Sequence, residues 1–233
     1  MILYYVRHGD PVYDPDQLTE LGKLQATAVA KRLALHGIDR IYSSTSTRAR
    51  QTAQPLCDLL KKEAKLLDWC HEGYAWKELT LINDKGQMTW IVADTQSKRI
   101  LAREEVRKLG RDWHTYPAFA GTRYGTGITR IQRETDAFLH SLGYRHDLEN
   151  NCYYAEAPTR EKVALFAHQG VGGAILSCIL DIPYSVFGPT FFNMGHTGVT
   201  VISFEEKEGI VFPEVLSFSN DSHFYREGLP TRY

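Results

Sequence analysis

The stretch Ile2-Leu3-Tyr4-Tyr5-Val6-Arg7-His8-Gly9 decides the fold. Five apolar residues in succession predict a buried strand, and Arg7-His8-Gly9 closes it. In open α/β sheets ligands bind outside the carboxyl ends of the strands. That edge here receives a histidine, a capable covalent catalyst near neutral pH. Beside it stands an arginine, whose planar fork grips phosphate oxygens in pairs. Gly9 lets backbone approach a ligand closely. Taken alone, the triplet fits an ordinary strand end equally well.

Working outward, the first third alternates strand and helix. Asp10 to Gln17 reads as a polar loop. A helix starting at Thr19-Glu20 carries Leu21, Leu24, Ala28, Val29, Leu33 and Leu35 near helical spacing and stops at Gly37. Ile38 to Tyr42 predicts a second strand. Ser43 to Thr47 then offers hydroxyl caps for a helix running to about Leu60, with a kink expected at Pro55. Ala64 to Trp69 predicts a third strand.

From about 73 to 160 the texture becomes aromatic and basic, with Tyr74, Trp76, Trp90, Trp113, Tyr116, Phe119 and Tyr124. Ile128 to Leu142 has a helical pattern, and Gly143 to Arg160 reads as loop. The α/β pattern resumes at Lys162 to Ala167, a buried strand ending in His168-Gln169-Gly170. A helix follows, and Val199 to Phe204 and Val211 to Phe218 predict closing strands. The expected architecture is a three-layer α/β/α sandwich with a mostly parallel central sheet. Residues 1–233 form a single domain in this scheme, with a cap inserted at about 73–160. Its aromatics are expected to be core. The basic run Lys98-Arg99 through Arg111 is expected to be the solvated face of one amphipathic helix.

Composition narrows the function classes. The chain has 233 residues, 43% hydrophobic and 24% charged, with a formal net charge of -1. That balance gives no general attraction to nucleic acid or anionic membrane, so any anion must be held by a local cluster. No apolar run approaches the roughly 20 residues of a membrane span. The opening residues read directly as a strand, so no secretory leader is expected. Cys57, Cys70, Cys152 and Cys178 lack Cys-x-x-Cys spacing and read as free thiols, which points to the cytoplasm. Oligomeric state is left open.

His8 and His168 end two strands predicted to lie parallel, so both imidazoles face one cleft. Arg48 opens the helix after Ser43-Ser44-Thr45-Ser46-Thr47, and Gln169-Gly170 opens another. Helix N-termini suit phosphate oxygens, and Gln169-Gly170 is expected to add a backbone donor. This set suits covalent phosphoryl transfer. His8 attacks phosphorus, while Arg7, Arg48 and His168 stabilise the equatorial oxygens. The leaving alkoxide needs a proton donor, and Glu72 is the candidate, its carboxyl kept protonated beside Trp69. His71 is the alternative if the register shifts by one, and Glu78 is a weaker one.

The motifs resemble the histidine phosphatase superfamily, also called phosphoglycerate-mutase-like. The matching segments are Val6-Arg7-His8-Gly9, Leu18-Thr19-Glu20-Leu21-Gly22 with Gln25-Ala26, and Ser44 with Arg48-Ala49 and Gln51-Thr52-Ala53. Glu72, Phe166-Ala167-His168 and Asn220-Asp221-Ser222-His223 follow in family order. The resemblance implies that His8 is the phosphorylated nucleophile, that Arg7, Arg48 and His168 bind the phosphoryl group, and that Glu72 is the proton donor. Two departures stand out. Asp10-Pro11-Val12-Tyr13-Asp14 replaces the Glu-Ser-x-Trp-Asn usual in glycolytic mutases, and Asp14 would repel phosphate if it faced the site. Gln169 replaces the first glycine of the usual His-Gly-Gly.

The expected function is a phosphomonoester hydrolase working through a phosphohistidine on a phosphorylated small molecule. A phosphoglycerate-type mutase and a catalytically weak phosphate-binding protein are the alternatives. Asp10, Asp14 and Asp16 lack metal-ligand spacing, so no metal or other cofactor is expected. Among the other histidines, His196 is expected to be structural though close to the cleft. His36, His114, His140 and His146 are expected at the surface, and His223 as a structural hydrogen-bonding residue.

Overall fold

The computed structural model describes residues 1–190 and 193–231. Its central sheet contains the strands Ile2–Arg7 (β1), Arg40–Ser44 (β2), Ala64–Leu67 (β3), Lys162–Ala167 (β4), Val199–Ser203 (β5) and Glu214–Asn220 (β6). Their order across the sheet is β6-β5-β1-β4-β2-β3. The pairs β1/β4, β4/β2 and β2/β3 are parallel, and β5 runs antiparallel to both β1 and β6. Strands of a parallel sheet are covered on both faces, which accounts for the unbroken apolar runs Leu3 to Val6 and Val163 to Ala167, all buried.

Alternate side chains of these strands enter two separate cores. Tyr4, Val6, Ala164 and Phe166 pack with Val29, Ala30 and Leu33 of the helix Glu20–His36 (α1) and with Ala53 and Leu56 of the helix Thr47–Leu60 (α2). Leu3, Tyr5, Val163 and Leu165 face the other way. They join the helices Tyr124–His140 (α3) and Gly170–Ile179 (α4) through residues such as Ile131, Leu139, Ala174 and Ile175. The helices therefore flank a central, mostly parallel sheet. Of the aromatics of 73–160 expected to be core, Trp113, Phe119 and Tyr124 lie in this second core, whereas Tyr74 is exposed and Trp90 lines a cavity.

The helix ends follow the capping chemistry. Thr19 Oγ1 accepts from Gly22 N, and Gly37 closes α1 in the left-handed region at φ 71°. Ser46 Oγ accepts from Ala49 N at the start of α2, which runs through Pro55.

Several boundaries and elements differ from the sequence expectation. The second strand is displaced to Arg40–Ser44, and the third stops at Leu67, with a 3-10 turn at Asp68–Cys70. Asp10 to Gln17 is a hairpin of Pro11–Tyr13 and Asp16–Leu18 rather than a loop. Gly143 to Arg160 likewise contains paired strands, Tyr144–Asp147 and Cys152–Ala155. Ile210–Val211 and Glu206–Lys207 extend that pair to four strands. Pro213, which has no N–H for a ladder, separates Ile210–Val211 from β6. The basic run is three short helical pieces, Thr95–Leu101, Glu104–Arg107 and Gly110–Thr115, instead of one helix.

His146 is a further correction, because it is buried instead of lying at the surface. Its side chain is 2% exposed, with Nδ1 2.7 Å from Asp136 Oδ1 and Nε2 2.8 Å from Asp181 Oδ2. The ring stacks on Tyr153 at 4.1 Å between centroids. These partners come from α3 and the segment after α4, so the hairpin is fixed by contacts that its own sequence does not announce.

Candidate active site

The register pairs Val6 with Phe166 and Arg7 with Ala167, so β1 and β4 end at the same level. His8 N donates to Ala167 O, and the two imidazoles that follow lie 5.2 Å apart, edge to face. Close backbone approach makes room at this edge. A Cβ on Gly9 would stand 2.7 Å from Gly22 O, which brings the start of α1 against the segment after β1. Gly9 N also donates to Thr52 Oγ1, tying the segment to α2.

His8 is buried, and its Nδ1 lies 2.7 Å from Gly9 O. A carbonyl only accepts, so Nδ1 carries the proton and Nε2 keeps its lone pair in the neutral ring. Burial pushes the His8 pKa well below its ordinary value, and Arg7, Arg48 and His196 add to this, against the Gly9 contact. His168 is also fully buried and held neutral by burial, with His8, Arg48, His71 and Arg7 acting in the same direction. Arg48 Nη2 donates to His168 Nδ1 at 3.1 Å, which places the proton of the neutral ring on Nε2, 3.0 Å from Ser44 Oγ. Ser43 to Thr47, expected as helix caps, thus also supplies hydroxyls that orient His168.

Glu72 reaches the same point from the start of the helix Glu72–Glu78. Its Oε2 is 3.4 Å from His168 Nδ1 and 4.0 Å from Arg48 Nη2, and its Oε1 accepts from Val171 N at 2.9 Å. Burial raises the carboxyl pKa, outweighing the Val171 N–H, Arg48, Arg7 and Gly170 N–H that lower it. The N-terminus of α4 therefore receives Glu72, where the sequence suggested a donor for phosphate. Gly170 permits this: a Cβ there would meet Trp90 at 2.2 Å and Glu72 Oε1 at 2.6 Å.

A cavity of about 370 Å3 opens over the cluster, lined by Arg7, His8, Glu72, Trp90, Lys98 and Gln169 among others. All six expected site residues thus lie at one place, with Arg48 and His168 joined to it through Glu72. Arg7 Nε and Arg48 Nε are buried without a hydrogen-bond partner. His8, Glu72 and His168 offer three ligand atoms within 4.8 Å of one another. Two guanidinium charges beside them make the locus better matched to an anion than to a divalent cation.

The alternatives are engaged elsewhere. His71 Nδ1 accepts from Gly73 N and caps the helix that carries Glu72, while Glu78 is paired with Arg130 at 2.6 Å. Asp14 is exposed and does not line the cavity. Asp16, two residues on, accepts from Arg48 Nη1 at 2.7 Å and from Thr47 N at 2.7 Å. His196 lies at the site, close to the cleft as expected, with Nε2 3.0 Å from Arg7 Nη2, so a purely structural role is an incomplete description. His223 is buried and contacts Thr197 Oγ1 at 2.9 Å, matching its expected structural part. Asp16, His196 and Trp90 have no motif spacing; only the polar composition of Asp10 to Gln17 hinted at the first.

Solved structures with this fold include the mycobacterial glucosyl-3-phosphoglycerate phosphatase with inorganic phosphate. It is 22% identical with a TM-score of 0.61, and the match covers 95% of this chain and 98% of that one. An Entamoeba histolytica phosphoserine phosphatase mutant in complex with phosphoserine is 20% identical with a TM-score of 0.59, over 95% and 98% of the two chains. The Bacillus stearothermophilus protein YhfR is 20% identical, with a TM-score of 0.59 and the same coverage. No curated protein sequence matches the chain. The model of the histidine phosphatase superfamily (branch 1) matches residues 3–212. With that match over nearly its whole length, the chain belongs to the histidine phosphatase superfamily.

Proposed function

We propose that the protein is a phosphomonoesterase that acts on a phosphorylated small molecule through a phosphohistidine on His8. The observation that carries this is the state of His8: one imidazole nitrogen is tied to Gly9 O, and the ring is kept neutral beside two guanidinium groups. A neutral imidazole is the nucleophilic form, and the guanidiniums suit the charge of a phosphoryl group. The orphaned Nε–H donors of Arg7 and Arg48 support the same assignment, since buried donors call for acceptors.

In the first step His8 Nε2 forms a bond to phosphorus as the ester P–O bond breaks. The departing oxygen takes the proton of Glu72, whose raised pKa favours the protonated form. Arg7, Arg48 and His168 stabilise the transferring group, and Gln169 contacts the substrate at the cavity wall. Glu72, now a carboxylate, accepts a proton from the water that attacks phosphorus. The N–P bond breaks, inorganic phosphate leaves, and both groups regain their initial states. The chain's likeness to structures of phosphatases supports hydrolysis over return of phosphate to a second hydroxyl. Among the described residues no helix is long and apolar enough to cross a membrane. The four cysteines are free and buried, which supports a cytoplasmic setting.

The test is phosphate release from an aryl phosphate and a panel of phosphorylated metabolites, with His8→Ala as control and rapid quenching to trap an acid-labile phosphoenzyme. Release and trapping in the wild type, both lost in His8→Ala, are expected. Isomerisation of phosphoglycerate without net release would mark a mutase. Binding of phosphate compounds with equal inertness of both proteins would mark a binding protein.

A further inference from the structure

Arg7 and Arg48 flank His8 but are held by acceptors of different charge. Arg48 is braced directly by the Asp16 carboxylate at 2.7 Å. Arg7 donates from Nη1 to Met194 O and from Nη2 to His196 Nε2, the latter at 3.0 Å. A guanidinium only donates, so His196 Nε2 must carry a lone pair and the ring proton resides on Nδ1. That nitrogen lies 3.5 Å from Asp10 Oδ1, and Asp10 Oδ2 accepts from Thr19 Oγ1 at 2.7 Å.

The turn that presents His196 is fixed from several sides. Thr197 stands in the left-handed region at φ 51°, costly for a β-branched residue. Its N–H donates to His8 O at 3.2 Å and its Oγ1 meets His223 Nε2 at 2.9 Å. Gly195 N donates to Ser219 Oγ at 2.8 Å. The contacts of Thr197 to His8 and to His223 of the helix Ser222–Glu227, with that of Gly195 to β6, keep His196 aimed at Arg7.

Resting on the assignment of Arg7 as a phosphoryl-binding group, we infer that His196 is a positioning residue for Arg7 and that Asp10 acts through it. A carbonyl and a neutral imidazole fix the guanidinium plane without setting a formal negative charge against it. The Asp10 carboxylate orients the ring from its far side, one imidazole away from the phosphoryl site. Arg7 thereby keeps its full charge for the substrate, while Arg48 shares its charge with Asp16.

The test compares Arg7→Ala, His196→Ala, His196→Gln and His196→Glu by kcat, KM for an aryl phosphate, and inhibition by inorganic phosphate. Loss of a hydrogen bond to a charged group should raise KM and the phosphate inhibition constant about tenfold in His196→Ala, with a smaller change in kcat. Glutamine offers an acceptor oxygen to Arg7 and should restore most of the affinity. Glutamate places a carboxylate on Arg7 and should bind phosphate more weakly than glutamine does. A merely structural role predicts no difference between glutamine and glutamate, and that result overturns the inference. The pair also decides the matter if His196→Ala fails to fold. Unchanged phosphate inhibition in His196→Ala alongside a loss in Arg7→Ala overturns the positioning role alone. No effect in Arg7→Ala overturns the phosphoryl-binding assignment beneath it.

Discussion

Two regions of this molecule bury histidine side chains and leave them in different charge states, neutral in one and cationic in the other. At the ends of β1 and β4, His8 and His168 are surrounded by Arg7, Arg48 and each other. Burial and cationic neighbours act together there and push both pKa values well below the ordinary one. In the hairpin beyond α3, burial also works against the charge of His146, but Asp136 and Asp181 occupy both ring nitrogens and raise its pKa to about 9. Burial alone does not set the state of an imidazole; the sign of its partners does. The first arrangement leaves a nucleophilic nitrogen, and the second uses up both nitrogens in a clamp.

The sharpest way to break the comparison is to remove the buried acid that faces His168 in the cationic region. Glu72→Gln keeps the shape and the Val171 contact but carries no transferable proton. Turnover of alkyl phosphates, whose leaving groups need that proton, should fall by about 10²–10⁴-fold, while aryl phosphates lose far less. In the wild type, burial holds the Glu72 proton to higher pH than an ordinary carboxyl would. The kcat for alkyl phosphates should therefore decline on the alkaline side as pH rises through that raised value. Paired kcat measurements decide it, and equal losses on both substrate types would refute the proton-donor role.

The clamp predicts the converse: a large effect on stability with little on chemistry. His146→Leu leaves the Asp136 and Asp181 carboxylates without the cation between them and should cost about 3 kcal/mol in urea unfolding. In the folded wild type the pKa is near 9, above the ordinary value of 6.5. The resulting stability is fully present below about pH 6.5 and is lost as pH rises through 9. It amounts to a contribution on the order of 3 kcal/mol. Unfolding free energies measured across that range should slope downward in the wild type and more weakly in His146→Leu. Parallel slopes would show that the ring is not charged in the folded state.

The same contrast explains what was legible in the sequence. His8 and His168 could be placed because each follows an unbroken apolar strand, and parallel pairing forces such strand ends to one edge. Arg48 and Glu72 sit at helix starts, which carry their own hydroxyl and acidic signals. His146 was misread because its segment, Tyr144-Arg145-His146-Asp147, is polar, while its partners Asp136 and Asp181 lie 10 and 35 residues away. Asp16 was missed, and His196 was placed near the cleft without its partner, for the same reason: they meet Arg48 and Arg7 across 32 and 189 residues. Local pattern reports which face of an element is buried. It carries no record of which charges a tertiary contact will pair.

The smallest effect separates the adjacent residues His71 and Glu72, which a one-residue register error would exchange. His71 lies 6.1 Å from His168 between ring centroids, yet its Nδ1 accepts from Gly73 N as a helix cap at 3.0 Å. His71→Ala should therefore remove a cap and destabilise the protein by about 1 kcal/mol. The proton on Glu72 is untouched, so alkyl and aryl phosphates should keep nearly the same ratio of kcat values as in the wild type. His71→Asn restores a capping oxygen and should return the lost stability, which a general loss of packing would not predict. A fall in alkyl phosphate turnover in His71→Ala as deep as that in Glu72→Gln would move the proton donor one residue along the chain. Such a result would also remove the reason for Glu72 to be buried against α4, because the helix would then be holding an acid with no proton to deliver.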